Sequence, residues 1–201
     1  MFKKLLIIGC GLIGSSVLRG SINKKISKKI FVYEKSKKNI SKIKKINSKI
    51  IILKKLDKKI SDIDIVVIST PMSQYERIIP SLNKFLGKKS IITDLGSTKQ
   101  NVLNLKNKKL NKSLVWISSH PISGSEVSGP EYGTKSLFLN KWCIVLNHKN
   151  KNKLKKIIKL WKRLGSKVII MDPKSHDEIF SLTSHLPHLI AYNLIKTAQD
   201  F

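Results

Sequence analysis

The chain has 201 residues, a hydrophobic fraction of 41% and a formal net charge of +28. That length exceeds one ordinary domain, leaves room for part of a second, and carries enough apolar residues for a sizeable core. No apolar run of about 18 residues occurs, so no membrane span is expected.

The opening MFKKLLIIGCGLIG is basic and then apolar, but its glycines interrupt the run and no small-residue cleavage site follows. A strand entering a tight turn is expected there, and the cytoplasm is the expected compartment. Residues 4–9 read as a buried strand and 13–23 as a helix. A strand over 29–34 precedes a helix over 38–46, in which Ile40, Ile43 and Ile46 recur at helical spacing. Strands are expected at 49–53 and 64–70, the second stopping before Pro71. Residues 74–86 read as helix despite Pro80, 90–94 as strand, 98–106 as helix and 114–119 as strand. Residues 142–147, 153–165 and 167–172 add strand, amphipathic helix and strand. This alternation predicts an α/β domain over residues 1–171, a Rossmann-type, doubly wound, mostly parallel sheet. All-apolar strands fit a sheet covered on both faces.

The pattern becomes helical at Asp172, which suits an N-cap, with Pro173 at the first helical position. Residues 172–201 are expected to begin an all-helical second domain that is cut off, because Asp200 and Phe201 carry no C-cap signal. Leu189, Ile190, Leu194 and Ile195 would then sit on an exposed apolar helix.

A charge of +28 suggests nucleic acid at first sight. Of the 40 basic residues, however, only Arg19, Arg77 and Arg163 are arginine, and the lysines are spread over the whole chain. A nucleic-acid groove concentrates arginine with interleaved aromatics. Lysine, isoleucine and asparagine share A/T-rich codons, so a skewed base composition accounts for the excess and no specific nucleic-acid partner is expected. Cys10 and Cys143 read as small buried residues, without a disulfide or metal-ligand spacing.

Gly9, Gly11 and Gly14 form G-x-G-x-x-G. The motif follows a strand, opens a helix, and has Glu34 at the end of the next strand, 20 residues past Gly14. That context is the dinucleotide fingerprint. Gly9 makes the turn, Gly11 admits the pyrophosphate, Gly14 lets helix pack on strand, and the first helical residues, Leu12 and Ile13, offer free N–H groups to the anion. Glu34 would accept hydrogen bonds from the adenosine ribose, favouring NAD over NADP. Ser69, Thr70 and Pro71, at a carboxyl strand end, would line the same cofactor.

Two further strand ends carry polar sequence, TDLGSTK (93–99) and SSHPISGSEVSG (118–129). His120 is expected at a strand tip, ahead of a glycine- and serine-rich loop with Ser125 and Glu126. His148 lies in an exposed turn and His176 reads as structural. His185 and His188, in SHLPH at a helical break near Pro187, lack a third strong ligand, so no zinc site is expected.

Together, GCGLIGSS, STP, TDLGSTK, SSHPISGSEVSG and SHLPH resemble the prephenate and arogenate dehydrogenase family of tyrosine biosynthesis, over essentially the whole chain. The resemblance implies hydride transfer to NAD+ from the hydroxyl-bearing carbon of prephenate or arogenate, loss of the ring carboxylate as CO2, and aromatisation. It implies His120 as base, neutral in the ordinary histidine range, with Ser97 bonding the histidine or the hydroxyl and the nicotinamide ribose. His188 would bind a substrate carboxylate, with His185 and Ser125 beside it, Ser184 on the cofactor, and Glu126 at the pocket mouth. The family's carboxylate-clamping cation and its homodimer contacts would come from the later helical domain. A β-hydroxyacid dehydrogenase would need a catalytic lysine, for which Lys196 is the candidate, and no His-Pro loop. A decayed nucleotide fold that binds anions is the non-enzymatic alternative.

Overall fold

The computed structural model describes residues 2–199. Six strands form one fully parallel sheet: β1 (Phe2–Ile8), β2 (Ser27–Tyr33), β3 (Ile51–Leu53), β4 (Ile65–Ile68), β5 (Ile91–Asp94) and β6 (Val115–Trp116), in the order β3-β2-β1-β4-β5-β6. This is the strand order of a dinucleotide-binding fold, with its reversal point between β1 and β4.

Period-two alternation divides the side chains of β1 between two cores. Leu5 and Ile7 pack with Val17 of α1 (Leu12–Asn23), Ile43 of α2 (Lys37–Ile46) and Trp161 of α5 (Lys151–Leu164). Leu6 and Ile8 pack on the other face with Tyr75 and Ile78 of α3 (Tyr75–Phe85) and Val102 of α4 (Gln100–Lys109). Burying each such Leu or Ile contributes about 1.5–3 kcal/mol, so the central strands anchor the domain.

Residues 114–119 do not form the single strand that their apolar run suggests. Ile117 N–H still donates to Ile92 O of the first sheet (2.8 Å), but Ser118 O accepts from Leu146 N–H (2.9 Å) of a second. There β7 (Ser119–Pro121) runs antiparallel to β8 (Trp142–Leu146), which pairs in parallel with β9 (Lys167–Met171). His120 is therefore the middle residue of a strand, paired with Ile144, and not the first residue past one.

α6 (Pro173–Phe180) starts at the Asp172 cap, whose Oδ1 accepts from the N–H groups of Lys174 and Ser175 at 3.0 Å each. A π-helical turn, Ser181–His185, leads into α7 (Leu186–Gln199). The break expected near Pro187 thus falls at this wider turn, which ends just before it, with Pro187 in the first turn of α7. α7 has no buried residue: Leu189, Ile190, Leu194 and Ile195 are each more than half exposed. The expected lack of a cap at Asp200 and Phe201 lies outside the described residues. Among the described residues no helix is long and apolar enough to cross a membrane.

Candidate active site

Gly9, Gly11, Glu34, Ser69, Thr70 and Pro71 line one cavity of about 320 Å³ at the carboxyl ends of β1, β2 and β4. Gly9 has φ +80°, a conformation that favours glycine. Ser69 Oγ donates to Gly9 O (2.5 Å), pinning the turn from the neighbouring strand. A Cβ on Gly14 would meet Gly9 O and Ser69 Oγ, whereas one on Gly11 would meet nothing within 4 Å. Gly14 thus serves packing, while Gly11 leaves open space above the backbone. Gly11 caps α1 without a side-chain bond, so the first-turn N–H groups at Leu12 and Ile13 have no capping acceptor.

Glu34 accepts from Cys10 N–H and Ser36 N–H, one on each carboxylate oxygen at 2.9 Å. A carboxylate has about four lone-pair sites, so capacity remains for ribose hydroxyls. Thr70 Oγ1 is buried in this wall without a partner among the described residues. The open space at Gly11, the helix N-terminus, the carboxylate and this orphaned hydroxyl fit a dinucleotide. Burial, and then the Glu34 charge, raise the Cys10 thiol to about 12, so it stays protonated in this wall.

A second, larger cleft of about 780 Å³ is lined by His120, Ser125, Glu126, Ser184 and His188, with Phe180 and Tyr192. β7 and its following loop supply one wall, and α6, the π-turn and α7 supply the other. Arg19 holds that loop to α1 through Pro130 O (3.4 Å), and Ser16 Oγ accepts from Thr134 N–H (3.0 Å). His188 Nδ1 donates to Ser184 O (2.6 Å), which leaves its Nε2 for a ligand. Ser184, expected beside the cofactor, therefore stands in the His120 cleft. His185 is exposed and lines neither cavity.

Ser97 is also exposed, in the turn after β5, and makes no hydrogen bond to His120 among the described residues. The Nδ1 of His120 is instead 2.9 Å from Nε2 of His176. His176, read from sequence as structural, is fully buried and contacts Asp177 Oδ1 through its own Nδ1 at 2.7 Å. Phe180 packs on both rings, with centroids 5.0 Å from His120 and 4.6 Å from His176. His120 also departs from the ordinary histidine range. Burial first, then the Lys99 charge and the neighbouring His176 ring, push its pKa down to about 3, so it is neutral at physiological pH.

The sequence reading also missed the support beneath β7. Lys99 and Asp94 form an ion pair at 2.8 Å, both side chains fully buried. Lys99 Nζ donates to Ser119 O (2.7 Å), immediately before His120, and Trp116 Nε1 donates to Asp94 Oδ1 (2.8 Å). Trp161 Nε1 donates to Ser119 Oγ (2.9 Å). Burial acts to raise the Asp94 carboxyl, but Lys99 and the Trp116 donor outweigh it and hold the pKa below the usual range. TDLGSTK contains both charges, five residues apart, and that spacing was the available signal.

A family model described as the nucleotide-binding domain of prephenate dehydrogenase matches residues 19–170. The chain belongs to the prephenate dehydrogenase family. A second model, described as the prephenate dehydrogenase dimerization domain, matches residues 172–200. The chain is 30% identical to cyclohexadienyl dehydrogenase of Zymomonas mobilis across its full length, covering 69% of that protein. It is 31% identical to prephenate dehydrogenase of Lactococcus lactis over 99% of its length, covering 55% of that protein. The crystal structure of prephenate dehydrogenase from Aquifex aeolicus, in complex with hydroxyphenyl propionate and NAD+, superimposes with a TM-score of 0.88 at 31% identity. That match covers 98% of this chain and 69% of the other. The chain thus spans between about half and 70% of the length of these three relatives.

Proposed function

We propose that this chain oxidises prephenate or arogenate with NAD+, releasing CO2 and giving 4-hydroxyphenylpyruvate or tyrosine. The observation that carries the reading is a neutral His120 on the wall of the 780 Å³ cleft, on the same chain as a complete dinucleotide cradle. NAD+, when bound, accepts the hydride from the hydroxyl-bearing ring carbon. Gly9, Gly11 and the N-terminus of α1 hold the pyrophosphate, and Glu34 holds the adenosine ribose. Ser69, Thr70 and Pro71 form the wall beside it.

His120 takes the hydroxyl proton as the carbon–oxygen double bond forms. The bond from the ring to its carboxylate then breaks, its electron pair completes the aromatic ring, and the oxygen regains a proton. His120 is therefore loaded and unloaded within one turnover. Ser97 bonds the hydroxyl and the nicotinamide ribose. His188, with its Nε2 available, meets a substrate carboxylate, with Ser125 beside it, and Ser184 contributes where cofactor and substrate meet. Glu126 guards the mouth. The exposed apolar face of α7 is a natural homodimer contact, in keeping with the description of the family model that covers it. The proposed compartment is the cytoplasm, where the free Cys10 and Cys143 stay reduced.

The test is incubation with NAD+ and each substrate separately, measuring NADH and CO2. Equal amounts of the two are expected with at least one substrate. NADH without CO2 would point to a simple alcohol dehydrogenase and overturn the reading.

A further inference from the structure

We infer that His176 and Asp177 form a positioning relay that fixes His120 as its Nδ1–H tautomer and leaves Nε2 as a bare lone pair for the cleft. The contacts, with an ionised Asp177 and a neutral His176, set this order of donors. Asp177 Oδ1 accepts from Lys99 N–H and Oδ2 from Gln100 N–H, each at 2.8 Å. Backbone N–H groups cannot reverse their role, so both carboxylate oxygens are acceptors. Burial acts to raise this carboxyl, but the N–H groups of Gln100 and Lys99 and the His176 ring together lower it, and Asp177 is ionised.

His176 Nδ1, 2.7 Å from Oδ1, must therefore donate. Burial lowers the basicity of His176; Asp177 opposes that shift and the Lys99 charge adds to it, and the net direction is down. A neutral imidazole carries one proton, so its Nε2 is an acceptor. The 2.9 Å contact to His120 is then donated by His120 Nδ1–H. His120 is itself neutral, which leaves Nε2 unprotonated. Nε2 has no hydrogen-bond partner among the described residues, and His120 lines the cleft.

The opposite tautomer would put a proton on Nε2, where a base needs a lone pair. In a serine-protease triad, a histidine held in the wrong tautomer costs about 10⁴ in turnover. The relay also fastens three elements: Asp177 on α6 caps α4, and the first residue before α4, Lys99, holds the strand of His120 through Ser119 O. His176 and Asp177 touch neither substrate nor cofactor in this scheme and act on the reaction through His120.

The tautomer itself stands independently of the reaction, while its effect on turnover rests on the proposed dehydrogenase reading. The experiment therefore has two arms. Long-range proton–nitrogen correlation spectra of the chain with ¹⁵N-labelled histidine, at neutral pH, report which ring nitrogen of His120 carries the proton. The His120 signals are those lost in His120→Asn. Protonated Nδ1 and bare Nε2 are expected in the parent and in His176→Gln, whose carbonyl oxygen still accepts. His176→Leu should move protons onto Nε2. A parent His120 protonated on Nε2, or a tautomer unchanged by His176→Leu, overturns the inference. If His176→Leu does not fold, the parent spectrum alone decides the tautomer.

In the second arm, His176→Leu should lower kcat by about 10²-fold or more, the scale of a general base, with substrate KM and NAD+ affinity nearly unchanged. His176→Gln should recover most of the loss. Parental kcat in a folded His176→Leu overturns the positioning role. If the expected tautomer is found but neither substrate yields NADH, the proposed function fails and the relay stands.

Discussion

Replacing Lys99 by Met tests whether the buried charges under β7 are as coupled as their geometry implies. Met keeps the apolar stem and removes the ammonium that lies 2.8 Å from Asp94 Oδ2 and 2.7 Å from Ser119 O. Asp94 would keep only Trp116 Nε1 at 2.8 Å and Gly96 N–H at 3.1 Å, with its charge fully buried. Removing one partner of a buried pair costs about 3–5 kcal/mol. For a chain of this size each kcal/mol lowers Tm by about 2–4 °C, so a fall of roughly 6–20 °C is expected. Urea unfolding followed by tryptophan fluorescence measures the loss, because Trp116 donates directly to Asp94.

The pH dependence of Lys99→Met carries a definite sign. In the parent, Asp94 is held below its unfolded value, so its contribution is complete above about pH 4. In Lys99→Met, burial outweighs the remaining Trp116 and Gly96 hydrogen bonds and raises the Asp94 carboxyl above its unfolded value, and the folded state binds the extra proton. Relative to the parent, the variant should regain stability between pH 7 and pH 5. Adding Asp94→Asn, which removes the charge and keeps the shape, should restore more than half of the loss. A deficit below about 1 kcal/mol, or no relief from Asp94→Asn, would refute the reasoning.

Three further outcomes are expected. Calorimetry should find NAD+ binding tighter than NADP+, and Glu34→Ala should weaken NAD+ by about 10- to 100-fold, the scale of hydrogen bonds to a charged acceptor; equal NADP+ affinity in the parent would show that Lys35, on the same cavity wall, governs the choice. Because His120 is held down to about 3, facing Lys99, His176, Asp94 and His185, the unfolded chain binds a proton that the folded chain refuses below about pH 6.5. Stability should therefore drop as the pH is lowered, by up to about 1.4 kcal/mol per unit through this group, and His120→Asn should flatten that slope in urea titrations. Duplex DNA should bind only in the non-specific range of about 10⁻⁴ to 10⁻⁶ M at physiological salt, and sequence-selective nanomolar binding in a filter assay would mean that the lysines form a real nucleic-acid surface.

The parts of this molecule that were legible in sequence are those determined by neighbours along the chain. The strand–glycine–helix opening and the Asp172 cap each depend on residues within one or two turns. The parallel, doubly wound character of the first six strands followed because all-apolar strands separated by helices favour that arrangement. The contact of His176 with His120 was hidden because it joins residues 56 apart in the chain. Likewise Asp177 caps a helix start 78 residues earlier, through Lys99 N–H. The split of residues 114–121 between two sheets was hidden for a related reason. An apolar run says that a segment is buried, but not which strand takes its hydrogen bonds.

The central claim is that a neutral His120 takes the substrate hydroxyl proton during oxidation by NAD+. The most direct measurement is single-turnover NADH formation by the chain and by His120→Asn, with prephenate and with arogenate, across pH. NADH is expected with at least one substrate, with a loss of about 10²- to 10⁴-fold in the variant and NAD+ affinity nearly unchanged. Near-parental turnover in His120→Asn, or its abolition in His188→Asn alone, would place the base on the helical side of the cleft and contradict the account.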